Sequence, residues 1–163
     1  MAGRTVSRFV NFVVTDPTTI RDIPINSLSV CGVVYDELDL TAFQDAVKGA
    51  LPGMPDAPIE VSGPFDTTAA QSASGSGAVP ALSGSHTVLK EICGGHTPLT
   101  LDVQFGDRAT YTDGAVQFGI SGTSTSGYIC TAYNVDLGEM SYTAKFALFP
   151  GSSLPAWGVA VET

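Results

Sequence analysis

Apolar and polar residues alternate along most of this chain, and the alternation is clearest in its last third. A period of two places every second side chain on the same face, so these segments predict β-strands. Turn signals such as Asp16-Pro17 and Asp113-Gly114 separate them. The strands are expected over residues 5–14, 23–35, 57–66, 98–105, 109–112, 115–122, 127–135, 140–149 and 157–161. The pattern therefore predicts a mainly β fold, a sandwich or barrel of about eight strands, in a single domain over residues 1–163.

One stretch has helical spacing instead of alternation. Its apolar side chains recur three to four residues apart: Leu40, Phe43, Val47 and Leu51. This spacing predicts a short amphipathic helix from Thr41 to Leu51, which Asp39 or Thr41 can cap and which Pro52-Gly53 ends. We expect Phe43 and Val47 to bury this helix on the sandwich, so that Asp at either position prevents soluble folding.

A second departure is a segment without charge. From Thr67 through Leu89 there is no Asp, Glu, Lys or Arg, and most residues up to Ser85 are Ala, Ser or Gly. This composition predicts a flexible loop over residues 67–85, inserted in the single domain. Residues 85–95 then predict a second, two-turn helix, with Ser85 as its cap and Gly94 as its stop.

Composition narrows the class of protein. Hydrophobic residues make up 44% of the chain, which excludes a disordered protein. Charged residues are 14%, and the 18 Gly and 10 Pro residues argue against a helical bundle. Seven Lys and Arg against sixteen Asp and Glu give a formal net charge of −9, which repels phosphate backbones. A nucleic-acid reader is therefore excluded, and burial between subunits is expected to cover part of this weakly charged surface.

The compartment follows from the N-terminus and the cysteines. Residues 1–8 carry positive charge, but the apolar stretch 9–14 is short and has no small-residue cleavage site, so we expect no secretion signal. No apolar run approaches the roughly 18 residues of a spanning helix, so a soluble protein is expected. Cys31, Cys93 and Cys130 have apolar neighbours, which favours buried free thiols in a reducing cytosol and leaves one disulfide pair open.

Candidate chemistry is sparse. Cys93 and His96 have ligand-like spacing, but His86 is the one other histidine, so a buried cysteine beside a helix stop is favoured over a zinc site. Gly119-Ile120-Ser121-Gly122 does not match a nucleophile elbow. A solvated acidic face is favoured over a calcium loop for the main group of carboxylates: Asp36, Glu37, Asp39, Asp45, Asp56, Glu60 and Asp66. We therefore expect no enzyme, no cofactor and no metal.

Aromatic residues on the C-terminal strands leave one binding function open. Trp157 could form a sugar-stacking platform with Tyr128, Tyr133 and Tyr142. On alternating strands such residues are more often core or interface. A secreted β-sandwich module that binds carbohydrate is therefore kept as an alternative, and the missing signal peptide counts against it.

Residues 35–66 resemble the tail-tube-like family of structural proteins from tailed bacteriophages. The resemblance rests on Leu38-Asp39-Leu40-Thr41 leading into a short helix, on the Pro52-Gly53 turn, and on the closing Gly63-Pro64-Phe65-Asp66. It continues more loosely through the helix ending at Gly94 and the strands of residues 128–135 and 140–151. It implies a two-sheet sandwich with a flanking helix, assembled as stacked hexameric rings into a tube.

The resemblance also supplies a second candidate, since the same fold serves as capsid decoration protein. A tube normally needs a long hairpin or loop to bridge its rings, and the sequence candidate, residues 67–85, is unlike a hairpin. In the decoration alternative that loop and a flexible N-terminal arm, residues 1–8, clamp neighbours on the shell. In the tube hypothesis the acidic balance has a role, because a lumen that conducts DNA benefits from repelling phosphates.

The sequence therefore predicts a structural virion protein, most directly a tail tube subunit, with capsid decoration as the alternative. Its implied partners are further copies of itself in hexameric rings and other phage tail or capsid proteins. Genomic DNA would pass without specific binding, and no membrane is involved. Assembly is expected in the cytoplasm of the host bacterium.

Overall fold

The strands form two main sheets, and the apolar faces of these sheets pack against each other. The structure is a computed structural model that describes residues 10–16, 19–42, 46–69, 81–105, 116–120, 122–123 and 125–159. These residues form twelve strands and one helix: β1 Val10–Asp16, β2 Thr19–Ile23, β3 Ser27–Val30, β4 Val34–Asp39, β5 Ala50–Asp56, β6 Ile59–Pro64, β7 Ala81–Leu82, α1 Ser85–Ile92, β8 Thr100–Phe105, β9 Val116–Ile120, β10 Tyr128–Asp136, β11 Ser141–Leu148 and β12 Ala156–Val159. The predicted mainly β, sandwich-like fold is confirmed.

Three sheets are present among the described strands. A six-stranded sheet has the order β12-β9-β8-β1-β2-β7, and a four-stranded sheet has the order β10-β11-β6-β3. The third sheet consists of β4 and β5 alone. Neighbouring strands are antiparallel except for β2 and β7. The two larger sheets pack on each other, and the small sheet stands apart from their core.

Aromatic and branched side chains fill the space between the two larger sheets. Phe12 from the six-stranded sheet meets Phe146 from the four-stranded sheet with ring centroids 5.4 Å apart. Both side chains are buried, and fully burying a side chain of this size stabilises the fold by about 1.5–3 kcal/mol. Helix α1 covers one end of the core with Val88 and Leu89, both without solvent exposure. The core thus depends on contacts between residues distant in sequence.

The second predicted helix is confirmed, although its cap is not the predicted one. Gly84 occupies the N-cap position, and Ser85 is the first helical residue. The buried Ser85 hydroxyl donates to the Pro64 carbonyl at 2.8 Å and accepts the Asp66 amide at 3.1 Å. Ser85 therefore fastens the helix to the end of β6. Gly94 follows the helix with a φ of 81°, which is the left-handed geometry that ends helices.

The predicted helix from Thr41 to Leu51 is wrong. Strand β4 ends at Asp39, residues 46–49 are irregular, and β5 begins at Ala50. Leu38 pairs with Leu51 across the two strands. Pro52 and Pro55 are compatible with β5 because β4 is its one partner among the described strands. Cross-strand pairing thus overrides a helical spacing that four apolar residues had suggested.

Other segments differ in smaller ways. The predicted strand 23–35 is two strands, β3 and β4, separated by Gly32 with a φ of 132°. Asp16 pairs with Thr19, where the unpredicted β2 already begins, and residues 17–18 of the predicted turn lie outside the described residues. Strand β7 lies within the predicted loop 67–85 and pairs with β2. The predicted arm 1–8, the strand 109–112 and residues 70–80 of the loop lie outside the described residues.

Two carboxylates share the outer face of the six-stranded sheet. Asp22 of β2 and Asp102 of β8 both oppose Val13 of β1, one from each side. Burial raises the pKa of each carboxyl from 3.8 to about 6. At Asp102 a hydrogen bond of 2.9 Å from the Gln117 amide acts in the opposite direction. Both groups are therefore ionised at neutral pH at a cost to stability.

Replacing Asp22 with Asn is expected to stabilise the protein at neutral pH. The folded pKa of Asp22 lies above its unfolded value, so its favourable contribution is present in acid and is lost as the pH rises through 6. A neutral Asn does not ionise, so the variant keeps the free energy of unfolding that the wild type loses, at most about 3 kcal/mol. Urea unfolding at about pH 4 and at pH 7 measures it. An Asn variant with wild-type stability at pH 7 would contradict the expected burial of charge.

Candidate assembly surface

Strands β4 and β5 form a hairpin that extends from one end of the four-stranded sheet. The chain enters the hairpin from β3 and leaves it into β6, and β3 and β6 are themselves paired. The hairpin therefore continues the β3–β6 pair beyond the edge of the core. Within the described residues β4 and β5 pair with each other and with no other strand.

The root of the hairpin is fixed to the core. Ala57, directly after β5, is fully buried, and its carbonyl accepts a hydrogen bond of 2.8 Å from the Tyr128 hydroxyl. Burial raises the pKa of Tyr128 far above its usual range, so the hydroxyl keeps the proton that it donates. On the other side of the root, Val33, directly before β4, packs against the core. The hairpin is thus a continuation of the sheet with an anchored base.

The paired strands of the hairpin contain a β-bulge. The register shifts between Tyr35 and Glu37, so that β5 carries one extra residue opposite this step. Gly53 lies at the bulge, where an added Cβ would be 3.0 Å from the Asp36 carbonyl oxygen and 3.2 Å from the Leu38 side chain. A glycine therefore allows the two strands to approach closely. Bulges of this kind increase the twist of a two-stranded ribbon.

Polar contacts close the outer end of the hairpin. The Leu40 amide donates to the Gly49 carbonyl at 2.9 Å, and the Gly49 amide donates to the Thr41 hydroxyl at 2.9 Å. The Thr41 amide donates to the Asp39 carboxylate at 2.9 Å. The Thr41 side chain and amide together lower the pKa of Asp39, which is therefore ionised at neutral pH. The predicted capping residues thus hold a hairpin end instead of a helix start.

The hairpin exposes an unusual amount of apolar surface. Every residue of β4 is exposed, and among the described residues of the hairpin the large apolar side chains in contact with solvent are Val34, Tyr35, Leu38, Leu40, Val47, Leu51 and Met54. Met54 is 80% exposed. Carboxylates accompany them at Asp36, Glu37, Asp39 and Asp56. Exposed apolar side chains beside unpaired strand edges are typical of interaction sites. We define these exposed apolar residues as the hairpin surface.

The variant Val47→Asp is expected to fold as the wild type does, contrary to the sequence-based expectation. Val47 is 78% exposed at the outer end of the hairpin, and Phe43 lies outside the described residues. Substitutions at exposed positions change stability by about 0.5 kcal/mol or less. Soluble yield and the urea unfolding midpoint measure the effect. Insoluble protein from this variant would instead favour the helix that the sequence predicted from Thr41 to Leu51.

The predicted ligand-type residues do not converge. His86 accepts or donates a hydrogen bond of 3.0 Å with the Tyr133 hydroxyl and lies 5.0 Å from the Phe65 ring. Cys93 lies beside Cys130, and His96 is exposed. Within the described part of the chain there is no group of three or more His, Cys, Asp or Glu side chains that could hold a metal ion.

The acidic residues are likewise dispersed. Asp36, Glu37 and Asp39 lie on the hairpin, and Asp45 is outside the described residues. Glu60 forms an ion pair with Lys145 at 3.3 Å on the four-stranded sheet. Asp66 accepts hydrogen bonds from Thr68, which lower its pKa. Gly119 and Ile120 are part of strand β9, and Ser121 lies outside the described residues.

The four aromatic residues of the carbohydrate alternative do not form one platform. Tyr128 and Tyr142 are buried in the core, and Tyr142 donates to the Pro24 carbonyl at 2.9 Å. Tyr133 lies 6.0 Å from the Tyr142 ring and is partly buried. Trp157 is exposed on the six-stranded sheet, 4.8 Å from the Phe118 ring. The aromatic side chains are thus divided between core and surface.

Sequence comparison gives no relatives: the chain matches no protein-family model and no curated protein. Solved structures do match over almost the whole chain. A chain in the sheath-tube complex of an extracellular contractile injection system, PVC, in its extended state is 12% identical with a TM-score of 0.57, covering 98% of this chain and 95% of that one.

Two further matches come from related particles. A chain in the 6-fold symmetrised baseplate of the anti-feeding prophage (AFP) is 11% identical with a TM-score of 0.55, covering 97% of both chains. A chain in the AFP tube-terminating cap is 11% identical with a TM-score of 0.54, covering 98% of this chain and 94% of that one. The protein therefore shares its fold with chains of the PVC contractile injection system and of the anti-feeding prophage. No helix among the described residues is long and apolar enough to cross a membrane.

Proposed function

We propose that this protein is a structural subunit of a phage-tail-type particle, and specifically a self-assembling tube subunit that forms stacked hexameric rings. The observation that carries the proposal is the projecting hairpin with its exposed apolar surface. A subunit that assembles by ring stacking needs an element that reaches beyond its own sandwich. The hairpin has the position, the anchored root and the apolar side chains for that contact.

The hairpin also changes the balance between the two virion roles. The decoration alternative gained support because residues 67–85 are unlike a bridging hairpin. Residues 34–56 supply such a hairpin at a place where a helix was expected. The sequence argument against the tube is therefore removed, while the fold shared with chains of a sheath-tube complex and of a tube cap favours the tube.

The negative net charge of the chain would keep DNA from binding to the inside of the proposed tube. A formal net charge of −9 disfavours binding of phosphate backbones, so genomic DNA would slide through the lumen without specific contacts. We expect the lumen to carry more of the sixteen acidic than of the seven basic residues. The chain would act as a non-enzymatic virion protein with other copies and other tail proteins as partners, assembled in the bacterial host.

The test is electron microscopy of the purified full chain. Negative staining is expected to reveal six-fold rings and, at higher protein concentration, stacked tubes. A chain that stays monomeric at all concentrations, and that also binds glycans on an array, would contradict the proposal in favour of a binding module. In phage particles that contain the protein, immunogold label on the tail supports a tube subunit, and label confined to the head supports capsid decoration.

A further inference from the structure

Cys93 and Cys130 lie side by side although the chain between them spans two strands of the other sheet. Cys93 follows helix α1, Cys130 lies in β10, and the two residues form an isolated parallel β-bridge. The Gly94 amide donates to the Cys130 carbonyl at 3.1 Å, which holds the two backbones together. The Cys130 thiol donates a weak hydrogen bond of 3.6 Å to the Ala132 carbonyl, and the Cys93 side chain is near enough to add to the rise that burial causes in its pKa. Both cysteines are free thiols in this structure.

This arrangement suits a covalent bond. Paired strands lie about 4.8 Å apart, and disulfides join residues whose Cα atoms are roughly 4.4–6.8 Å apart. Directly opposed residues of a β-bridge carry their side chains on the same face, so the two sulfur atoms are neighbours. We infer that Cys93 and Cys130 are a latent disulfide pair, which closes within the folded subunit when the protein meets a small-molecule disulfide such as oxidised glutathione.

The step is two successive thiol–disulfide exchanges. Cys93, the more exposed of the two, attacks one sulfur of the oxidant as a thiolate and releases the first small thiolate. Cys130 then attacks the Cys93 sulfur of this mixed disulfide and releases the second. The two protein thiols are oxidised, the small disulfide is reduced to two thiols, and the two protons pass to the released thiolates.

The environment explains why the pair stays reduced until an oxidant arrives. Cys130 is 2% exposed, and burial together with the neighbouring Cys93 raises its pKa. A protonated, shielded thiol is a poor nucleophile, so closure is slow unless the oxidant first reacts at Cys93. In a reducing cytosol the pair would therefore remain open during synthesis and assembly.

Closure would fasten helix α1 to the four-stranded sheet. The loop that the bond closes runs from Gly94 to Ile129 and contains β8 and β9 of the six-stranded sheet. A cross-link over a loop of this length restricts the unfolded chain, so it stabilises the folded subunit. The setting of this step rests on the proposed function: a particle built in a reducing cytoplasm and released from the cell meets oxidising surroundings. The bond itself depends on the local geometry alone.

The experiment treats the full-length reduced protein with oxidised glutathione and maps the products. Trypsin cleaves after Lys90, Arg108 and Lys145, so Cys93 and Cys130 fall in different peptides, and Cys31 falls in a third that ends at Lys48. A linked pair of the first two peptides is expected, with a loss of two hydrogen atoms from the intact mass. The melting temperature is expected to rise by roughly 5–15 °C and to return when the bond is reduced.

Two variants serve as matched controls. Cys93→Ser is expected to show neither the linked peptides nor the rise in melting temperature, whereas Cys31→Ser is expected to retain both. Glutathione attached to Cys93 without closure, or linkage of Cys31 at a similar yield, would overturn the inference. Microscopy of the same samples keeps the two proposals apart. Closure in a chain that forms no rings contradicts the tube alone, and tubes that resist closure after prolonged oxidation contradict the latent disulfide alone.

Discussion

The double variant Leu38→Lys/Leu51→Glu is expected to fold normally and to form no rings or tubes. Leu38 and Leu51 are cross-strand partners at the middle of the hairpin, and each is about half exposed. In the proposed assembly these side chains are buried against another copy. Two charged side chains buried there would lose their hydration, and an apolar contact cannot replace it. We therefore expect loss of assembly at every protein concentration at which the wild type forms tubes.

The two charges are chosen to keep the hairpin itself intact. A Lys opposite a Glu is a favourable cross-strand pair, contributing about 0.2–1 kcal/mol, and the net charge of the chain does not change. The anchored root at Ala57 and Tyr128 is far from the substitution along both strands. The melting temperature of the dissociated subunit is thus expected to stay within a few degrees of the wild-type value.

Sedimentation velocity and negative-stain microscopy measure the result. The control is Leu38→Met/Leu51→Met, which keeps apolar side chains of similar volume at the same two positions and should still assemble. Normal tubes from the charged variant would remove the hairpin surface from the assembly contact. Loss of tubes from both variants would show that the effect does not come from charge, and would contradict the argument as well.

The sequence predicted the sandwich well wherever burial and periodicity agree. Strand β11 was expected over residues 140–149 and spans Ser141–Leu148, with alternating buried and exposed side chains. Helix α1 was expected between a cap at Ser85 and a stop at Gly94, and its apolar side chains at Val88, Leu89 and Ile92 are buried on one face. In both elements the period of the apolar residues is the period of burial, which is the physical basis of such predictions.

The hairpin was missed for the opposite reason. Its described apolar side chains point to solvent within a single chain, so their spacing along the sequence does not mark a face that packs on the core. In the sequence, Leu40, Phe43, Val47 and Leu51 happen to fall at helical spacing, and Pro52-Gly53 resembles a helix stop. In the sequence of one subunit, an apolar residue that contacts another subunit looks the same as an apolar residue of the core. The candidate assembly surface was therefore the least predictable part of the protein.

Contacts between residues far apart in the chain could not be predicted from the sequence either. The adjacency of Cys93 and Cys130 depends on how α1 docks on β10, and no local pattern contains that information. The two buried carboxylates are a similar case, since Asp22 and Asp102 become neighbours of Val13 only through sheet pairing. The sequence suggested free thiols and a solvated acidic face. It could not identify which cysteines and which carboxylates would be buried.

The variant Gly63→Ala is expected to cause the largest loss of stability among single substitutions considered for this protein. Gly63 is buried in β6, where the chain segment of Pro24 and Ile25 crosses it closely. An added Cβ would lie 2.6 Å from the Pro24 carbonyl oxygen and 3.0 Å from the Ile25 Cα. Both neighbours are backbone atoms, so no side-chain rotation relieves the overlap, and strand β6 or the crossing segment has to move.

The overlap also disturbs a hydrogen bond that holds the crossing segment. Tyr142 opposes Gly63 across the sheet, its ring would lie 3.0 Å from the new methyl group, and its hydroxyl donates to the Pro24 carbonyl at 2.9 Å. Overpacking of a core costs about 1–3 kcal/mol, and loss of the part-buried hydrogen bond to Pro24 adds about 0.5–1.5 kcal/mol. Together these are comparable with a large part of the stability of a single domain.

Urea unfolding of the purified chain measures this loss as a lower midpoint. Gly158→Ala is the matched control, because Gly158 also lies in a strand, β12, and an added Cβ there meets no atom within 4 Å. That control is expected to be neutral or slightly stabilising, since alanine restricts the unfolded chain. Tyr142→Phe isolates the hydrogen bond and should lose less than Gly63→Ala. A Gly63→Ala midpoint equal to that of Gly158→Ala would mean that the Pro24 segment does not cross β6 at this distance.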